Sequence, residues 1–172
     1  MTTTKENAMT RPSPVPDGYH TVSPWIIGRN TAGVIDFLVN VFDGTDLGRM
    51  EDGKGGIGHA EVRIGDSVVL MFDMPDWPPT PGFLRLYVTD IQQVHDRAVA
   101  AGGTSVTKPT HVFWGDLVAR VSDPYGNLYW LMERIEEVDE AEVGRRLTDP
   151  EFTERLEYVQ GTMFHPGAPT RP

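Results

Sequence analysis

The sequence predicts an α+β fold of two tandem βαβββ modules followed by a C-terminal helical extension. Three observations carry the prediction. GHAEVRIGDSVVLM, from Gly58, is echoed by GDLVARVSDPYGNLYWLM, from Gly115, and each reads as a β-hairpin. Upstream of each hairpin an apolar strand runs into a segment with apolar residues at helical spacing. Between the halves lies MPDWPPTPG (74–82), whose prolines exclude a central strand or helix.

In SPWIIGRNTAGVIDFLVNVFDG the strand is followed by Val34, Phe37, Leu38, Val41 and Phe42 on one helical face. TDLGRMED then supplies a strand before the first hairpin. LRLYVTDIQQVHDRAVAAGG repeats the plan, with a Thr-Asp cap region, Ile91, Val94, Ala98 and Val99 at helical spacing, and a Gly-Gly stop. GTSVTKPTH is the corresponding strand of the second half. The expected organisation is a disordered leader (1–18), a first module (19–73), the connector, a second module (83–135), a helical segment (136–160) and a flexible tail (161–172). In the helical segment Asp149 and Pro150 resemble a helix start, and Phe152, Leu156 and Val159 share a face that needs a partner in this chain or in a second subunit. A four-stranded sheet with one helix covers only one of its faces, so the two halves are expected to share a core and to leave a ligand-sized trough.

With 172 residues, 39% hydrophobic content and no cysteine, the chain is expected to be globular, without disulfides or thiol chemistry. No window reaches the apolar length of a membrane span, and the N-terminal stretch lacks a secretory signal, so a cytoplasmic location is expected. A net charge of −10 argues against nucleic acid. Much of that charge is local: Glu133 to Glu157 hold ten acidic and four basic side chains.

YHTVSPWII (19–27), GHAEVRIGDS (58–67), LYVTDIQQVHDRAVAAGG (86–103), FWGDLVARVSDPYGN (113–127) and ERIEEVDEAEV (133–143) resemble the vicinal oxygen chelate superfamily of glyoxalases, bleomycin resistance proteins and dioxygenases, in its PhnB-like branch. The resemblance implies a glyoxalase-like curved sheet around a central cleft, a small-molecule ligand and a homodimer. It also implies a divalent metal held by His, Gln and Glu on the first and last strands of each module. Four residues after Gly126, where an acidic ligand is implied, stands Trp130, and the corresponding stretch of the first half offers Leu70, Met71 and Phe72. The expectation is therefore no metal and no cofactor, since such ions need at least three converging imidazole or carboxylate ligands.

Alternation puts His59, Glu61 and Arg63 on one strand face and Gly58, Ala60, Val62 and Ile64 on the other. His59 and Glu61 are the candidate catalytic residues, because an imidazole titrates near neutrality and a carboxylate can orient it. The alternative is a polar ladder that balances charge. Trp25, Phe72, Phe83, Tyr87, Trp114, Asp116 and Trp130 are the candidate ligand-binding residues, suited to a flat organic molecule, although such aromatics also serve as core. Arg63 and Arg120 recur at one offset in the two hairpins, which favours a repeated structural ion pair with Asp66 and Asp123. His95 is expected on a solvated helix surface, His111 in a loop and His165 in the tail.

Three functions follow: a metal-independent binder of a small aromatic or planar molecule, a metal-free isomerase or cyclase using His59 with a carboxylate, and a metal-dependent lyase or dioxygenase using His20, His59 and Glu61. They rank in that order. No nucleic-acid or membrane partner is expected.

Overall fold

The repeat seen in the sequence is realised strand for strand in the computed structural model, which describes residues 12–78 and 80–163. The first module comprises β1 (Trp25–Gly28), α1 (Thr31–Phe42), β2 (Thr45–Glu51), β3 (Ile57–Ile64) and β4 (Ser67–Asp73). The second comprises β5 (Phe83–Tyr87), α2 (Ile91–Ala100), β6 (Thr104–His111), β7 (Asp116–Ser122) and β8 (Leu128–Arg134). Helices α3 (Glu140–Arg146) and α4 (Pro150–Gly161) follow. The sheets are ordered β1-β4-β3-β2 and β5-β8-β7-β6. In both, the first strand lies parallel to the last, and the remaining pairs are antiparallel. His165, most of the predicted tail and most of the predicted leader fall outside the described residues, whereas Gly161 at the start of the tail ends α4. At the leader's end, Gly18 is fixed by its carbonyl, which accepts from Arg63 Nη1 at 3.0 Å.

Both helices begin on side-chain caps: Asn30 accepts from Gly33 N and Asp90 from Gln93 N, which satisfies backbone donors that the first turn leaves unpaired. Their apolar stripes meet in one core. Val34, Leu38 and Val41 of α1, Val94 and Ala98 of α2, Ala60 and Met71 of the first sheet, and Ala119, Tyr129 and Leu131 of the second belong to a single buried cluster. Tyr129 stacks on Phe37 with ring centroids 5.6 Å apart, so a strand of the second module packs on the helix of the first. The shared core therefore lies on the helix side of both sheets. Their opposite faces, called the trough faces here, point away from it.

The strand register corrects the offset read from the sequence. Trp25 pairs with Leu70 and Arg85 with Trp130, a shift of 60 in both strands (85 − 25 and 130 − 70). Glu61 pairs with Leu70 and Arg120 with Trp130, so Glu61 and Arg120 occupy equivalent places, 59 apart (120 − 61). Arg63, 57 residues before Arg120, corresponds instead to Ser122. The longer Asp123–Asn127 turn displaces β8 relative to its sequence match. For the same reason the shared Leu-Met ending is out of phase: Met71 and Leu131 enter the shared core, whereas Leu70 does not and Met132 joins the separate cluster with Val159. Arg63 and Arg120 are not a repeated ion pair: Arg63 holds Gly18 and Arg120 holds α4.

Candidate functional site: the trough face of the first module

His59 and Glu61 lie on the trough face of β3, opposite the buried Ala60 and Val62, as strand alternation requires. His59 Nε2 lies 3.0 Å from Glu61 Oε1. The other carboxylate oxygen accepts the hydroxyl of Tyr19, from the chain just before β1. These bonds, Tyr19's first and His59's second, hold the Glu61 carboxyl below the usual carboxylate range, while the same contact raises the Tyr19 phenol. Glu61 is thus ionised at neutral pH and can only accept, so His59 Nε2 carries the proton and Nδ1 is the free basic nitrogen.

Aromatic rings border this network. Trp25 meets His59 edge-on at 5.8 Å and Phe72 at 5.4 Å, and Phe72 meets Trp77 at 6.3 Å. Trp25 remains 47% exposed, so its indole offers a free face. Tyr19 and Trp77 were not singled out from sequence. Tyr19 reaches Glu61 across 42 residues, which no local spacing encodes. Trp77 belongs to the connector, read only as a chain breaker.

The candidates of the second module gather elsewhere. Arg85, Trp130 and Arg120 form the row equivalent to Trp25, Leu70 and Glu61. The Arg120 guanidinium lies 4.1 Å over the Trp130 ring. Helix α4 covers this side: Arg120 Nη1 donates to Val159 O at 2.8 Å and to Thr107 Oγ1 at 3.0 Å. Val159 packs with Val112, Val118, Met132 and Trp114, so the chain itself supplies the partner for that side of α4. Trp114 Nε1 donates to Asp116 Oδ2 at 3.0 Å, with Asp116 buried. Phe83 and Tyr87 stand exposed on the edge strand β5. Among the described residues no hydrogen bond, ion pair or aromatic contact joins the trough side chains of the two modules within one chain.

Two further histidines differ from expectation. His95 is buried and lies 2.8 Å from Ser105 Oγ, not on a solvated surface. His111 ends β6, with Nε2 2.6 Å from Glu136 Oε1.

The residues present do not fit a divalent metal at the inherited strand positions. The two equivalent rows offer one carboxylate, Glu61, already bonded to Tyr19 and His59, beside two guanidinium cations, an indole of Trp25, another of Trp130, and Leu70. Among the described residues no three His, Asp or Glu side chains converge. His20 lies near Asp66, 3.9 Å away, not beside His59 and Glu61.

Comparison with known proteins places these observations in context. Residues 20–131 match the family model described as the Glyoxalase/Bleomycin resistance protein/Dioxygenase superfamily. Uncharacterised proteins of Mycobacterium bovis and Mycobacterium tuberculosis are 34% identical over 134 residues, covering 71% of this chain and 88% and 79% of theirs. TioX from Micromonospora sp. ML1 superposes with a TM-score of 0.55 at 22% identity, covering 66% of this chain and 99% of its own. The fosfomycin resistance protein FosX from Listeria monocytogenes gives 0.53 at 12%, covering 70% and 94%.

Proposed function

The chain belongs to the glyoxalase/bleomycin resistance protein/dioxygenase superfamily, and from that premise we propose that it binds a small aromatic or planar organic molecule on its trough face without a catalytic metal. The observation that carries this reading is the Trp25–His59–Phe72 cluster beside the Tyr19–Glu61–His59 network. An exposed indole face stacks a flat ring, and an ionised carboxylate fixed by two partners accepts a ligand N–H or attracts a ligand cation. Phe83 and Tyr87 are exposed enough to add contacts, and with Trp25 they support a homodimer that shields these rings.

The same network favours a second reading, a metal-free isomerase or cyclase. Glu61 orients the imidazole, leaving His59 Nδ1 to take a proton from a ligand carbon and return it to another. Trp114, Asp116 and Trp130 contribute to the ligand site in neither reading: the first two bond each other, and Trp130 stacks on Arg120.

The test is a fluorescence titration with 1-naphthol and planar heteroaromatic analogues. Saturable quenching that weakens at least ten-fold in Trp25→Ala and Phe72→Ala is expected. Quenching unchanged in both variants, or absent throughout, refutes the binding site. His59→Ala is expected to retain binding, and loss of turnover with binding intact selects the enzyme. Equilibrium sedimentation checks the dimer.

A further inference from the structure

The pseudo-symmetry of the two modules creates two equivalent crevices, one at each helix start, and one of them is narrowed by the chain's own side chains. In the first, the Asp123–Asn127 turn of the second module reaches α1. Its Tyr125 hydroxyl lies so close to Gly33 that a Cβ on Gly33 would sit 2.0 Å away. Tyr125, the connector residues Met74, Trp77 and Pro78, and Asn30 narrow that crevice to about 420 Å³. In the other, the turn of the first module, Gly65–Asp66, is too short to carry a ring. The position equivalent to Gly33 is Gln93, third in its helix like Gly33 (93 − 33 = 60). The crevice remains open at about 800 Å³, within the range of small-molecule sites.

We propose that this second crevice is a separate binding site for an uncharged, single-ring aromatic molecule carrying a hydroxyl or carbonyl group, a phenol being the simplest. A ring is indicated because a phenol ring from the chain's own Tyr125 occupies the equivalent place in the other half. The inner wall is apolar, formed by Phe42, Ile64, Val69, Leu84 and Val94, and suits an aromatic face. A neutral ligand is indicated because the charges in the wall balance, Arg85 and Arg97 against Asp43 and Asp66. Arg97 spans to Asp43 with both terminal nitrogens, at 2.8 and 3.0 Å, and Arg85 donates to the Tyr87 hydroxyl at 2.9 Å. Thr89 and Gln93 are neutral groups for the ligand's polar atom, and Ser67 Oγ, which donates to Asp66 at 2.9 Å, can still accept. None of the trough residues Trp25, His59, Glu61 and Phe72 lines the crevice, which shares only Arg85 and Tyr87 with the trough face of the second module.

The experiment is a titration of the methyl-labelled protein with 4-methylphenol, followed by carbon–proton correlation spectra. Saturable shifts of the Val69, Leu84 and Val94 methyls are expected, with 4-methylcyclohexanol at least ten-fold weaker. Ser67→Trp and Gln93→Trp, which fill the crevice from opposite walls, are each expected to abolish those shifts. Use of two variants covers the failure of either to fold. Absence of saturable crevice shifts in the wild type, equal binding of the saturated ring, or shifts persisting in a folded filled variant overturns the proposal. Shifts confined to Leu70, on the trough face, also overturn it while supporting the trough reading.

Discussion

Asp73 and Glu133, the acids near the ends of the last strands of the two modules, perform the same task 60 residues apart (133 − 73): each accepts the first backbone N–H of its module's helix. Asp73 Oδ1 takes Thr31 N and Glu133 Oε2 takes Ile91 N, both at 2.8 Å. A carboxylate at a helix N-terminus satisfies an otherwise orphaned donor and opposes the positive end of the helix dipole. Asp73 does more, since its second oxygen accepts Ile57 N at 2.8 Å and so pins the start of β3. Glu133→Ala is expected to cost about 1 kcal/mol and Asp73→Ala about 2 kcal/mol, read from urea unfolding midpoints at constant slope.

Helix α3 is tied to the segment that precedes it by ion pairs that acid dissolves. Arg146 bonds Glu136 through both terminal nitrogens at 2.8 Å, and its Nε bonds Glu142 at 2.7 Å. Arg146 holds the Glu136 carboxyl down at about 2, and Arg145, followed by Arg146, does the same for Glu142. A carboxyl depressed on folding stabilises the native state above its unfolded value, roughly 4.3, and loses that contribution as pH falls toward the folded value. The melting temperature is therefore expected to fall between about pH 4.5 and 2, with a shallower slope in Glu136→Gln. An unchanged slope in that variant contradicts the assignment.

Arg120 is buried without a carboxylate partner among the described residues, and burial lowers its pKa. Its bonds to Val159 O and Thr107 Oγ1 tie α4 to the second sheet while its plane rests on Trp130. Arg120→Ala is expected to destabilise by about 2 kcal/mol, the scale of a charged hydrogen bond plus a desolvated cation–π contact less the desolvation relieved. Hydrogen exchange should rise first in α4. Arg120→Lys retains the charge but not the planar stack, and is expected to rescue only part of the loss.

Tyr19 is the largest cause of Glu61's lowered pKa. Tyr19→Phe is expected to move the Glu61 titration upward, toward an ordinary carboxylate, as followed by the carboxyl carbon shift with pH. The His59 contact alone then remains. If the titration does not move, the hydroxyl is not what holds the carboxylate.

The parts that follow local periodicity were legible in the sequence. Alternation along IGHAEVRI separated His59 and Glu61 from Ala60 and Val62, and Asp149 with Pro150 marked the start of α4, where Asp149 accepts Glu151 N. The parts that depend on long-range geometry were not. Turn length sets register, so the longer Asp123–Asn127 turn put Arg120 opposite Glu61's position rather than Arg63's. Tyr19 and Val159 reach their partners over 42 and 39 residues, through chain paths that no spacing rule specifies. His95 looked like a solvated helical residue because its partner, Ser105, comes from β6 packed beneath.

The stretch matched by the family model stops at residue 131, before α4 begins. Trimming the polypeptide to that signature would not yield a minimal version of the protein. It would uncover a guanidinium that now ends a helix, cut β8 short before Met132, and strip the lid from Val112 and Val118. A shortened product of this kind should aggregate rather than serve as a simpler homologue.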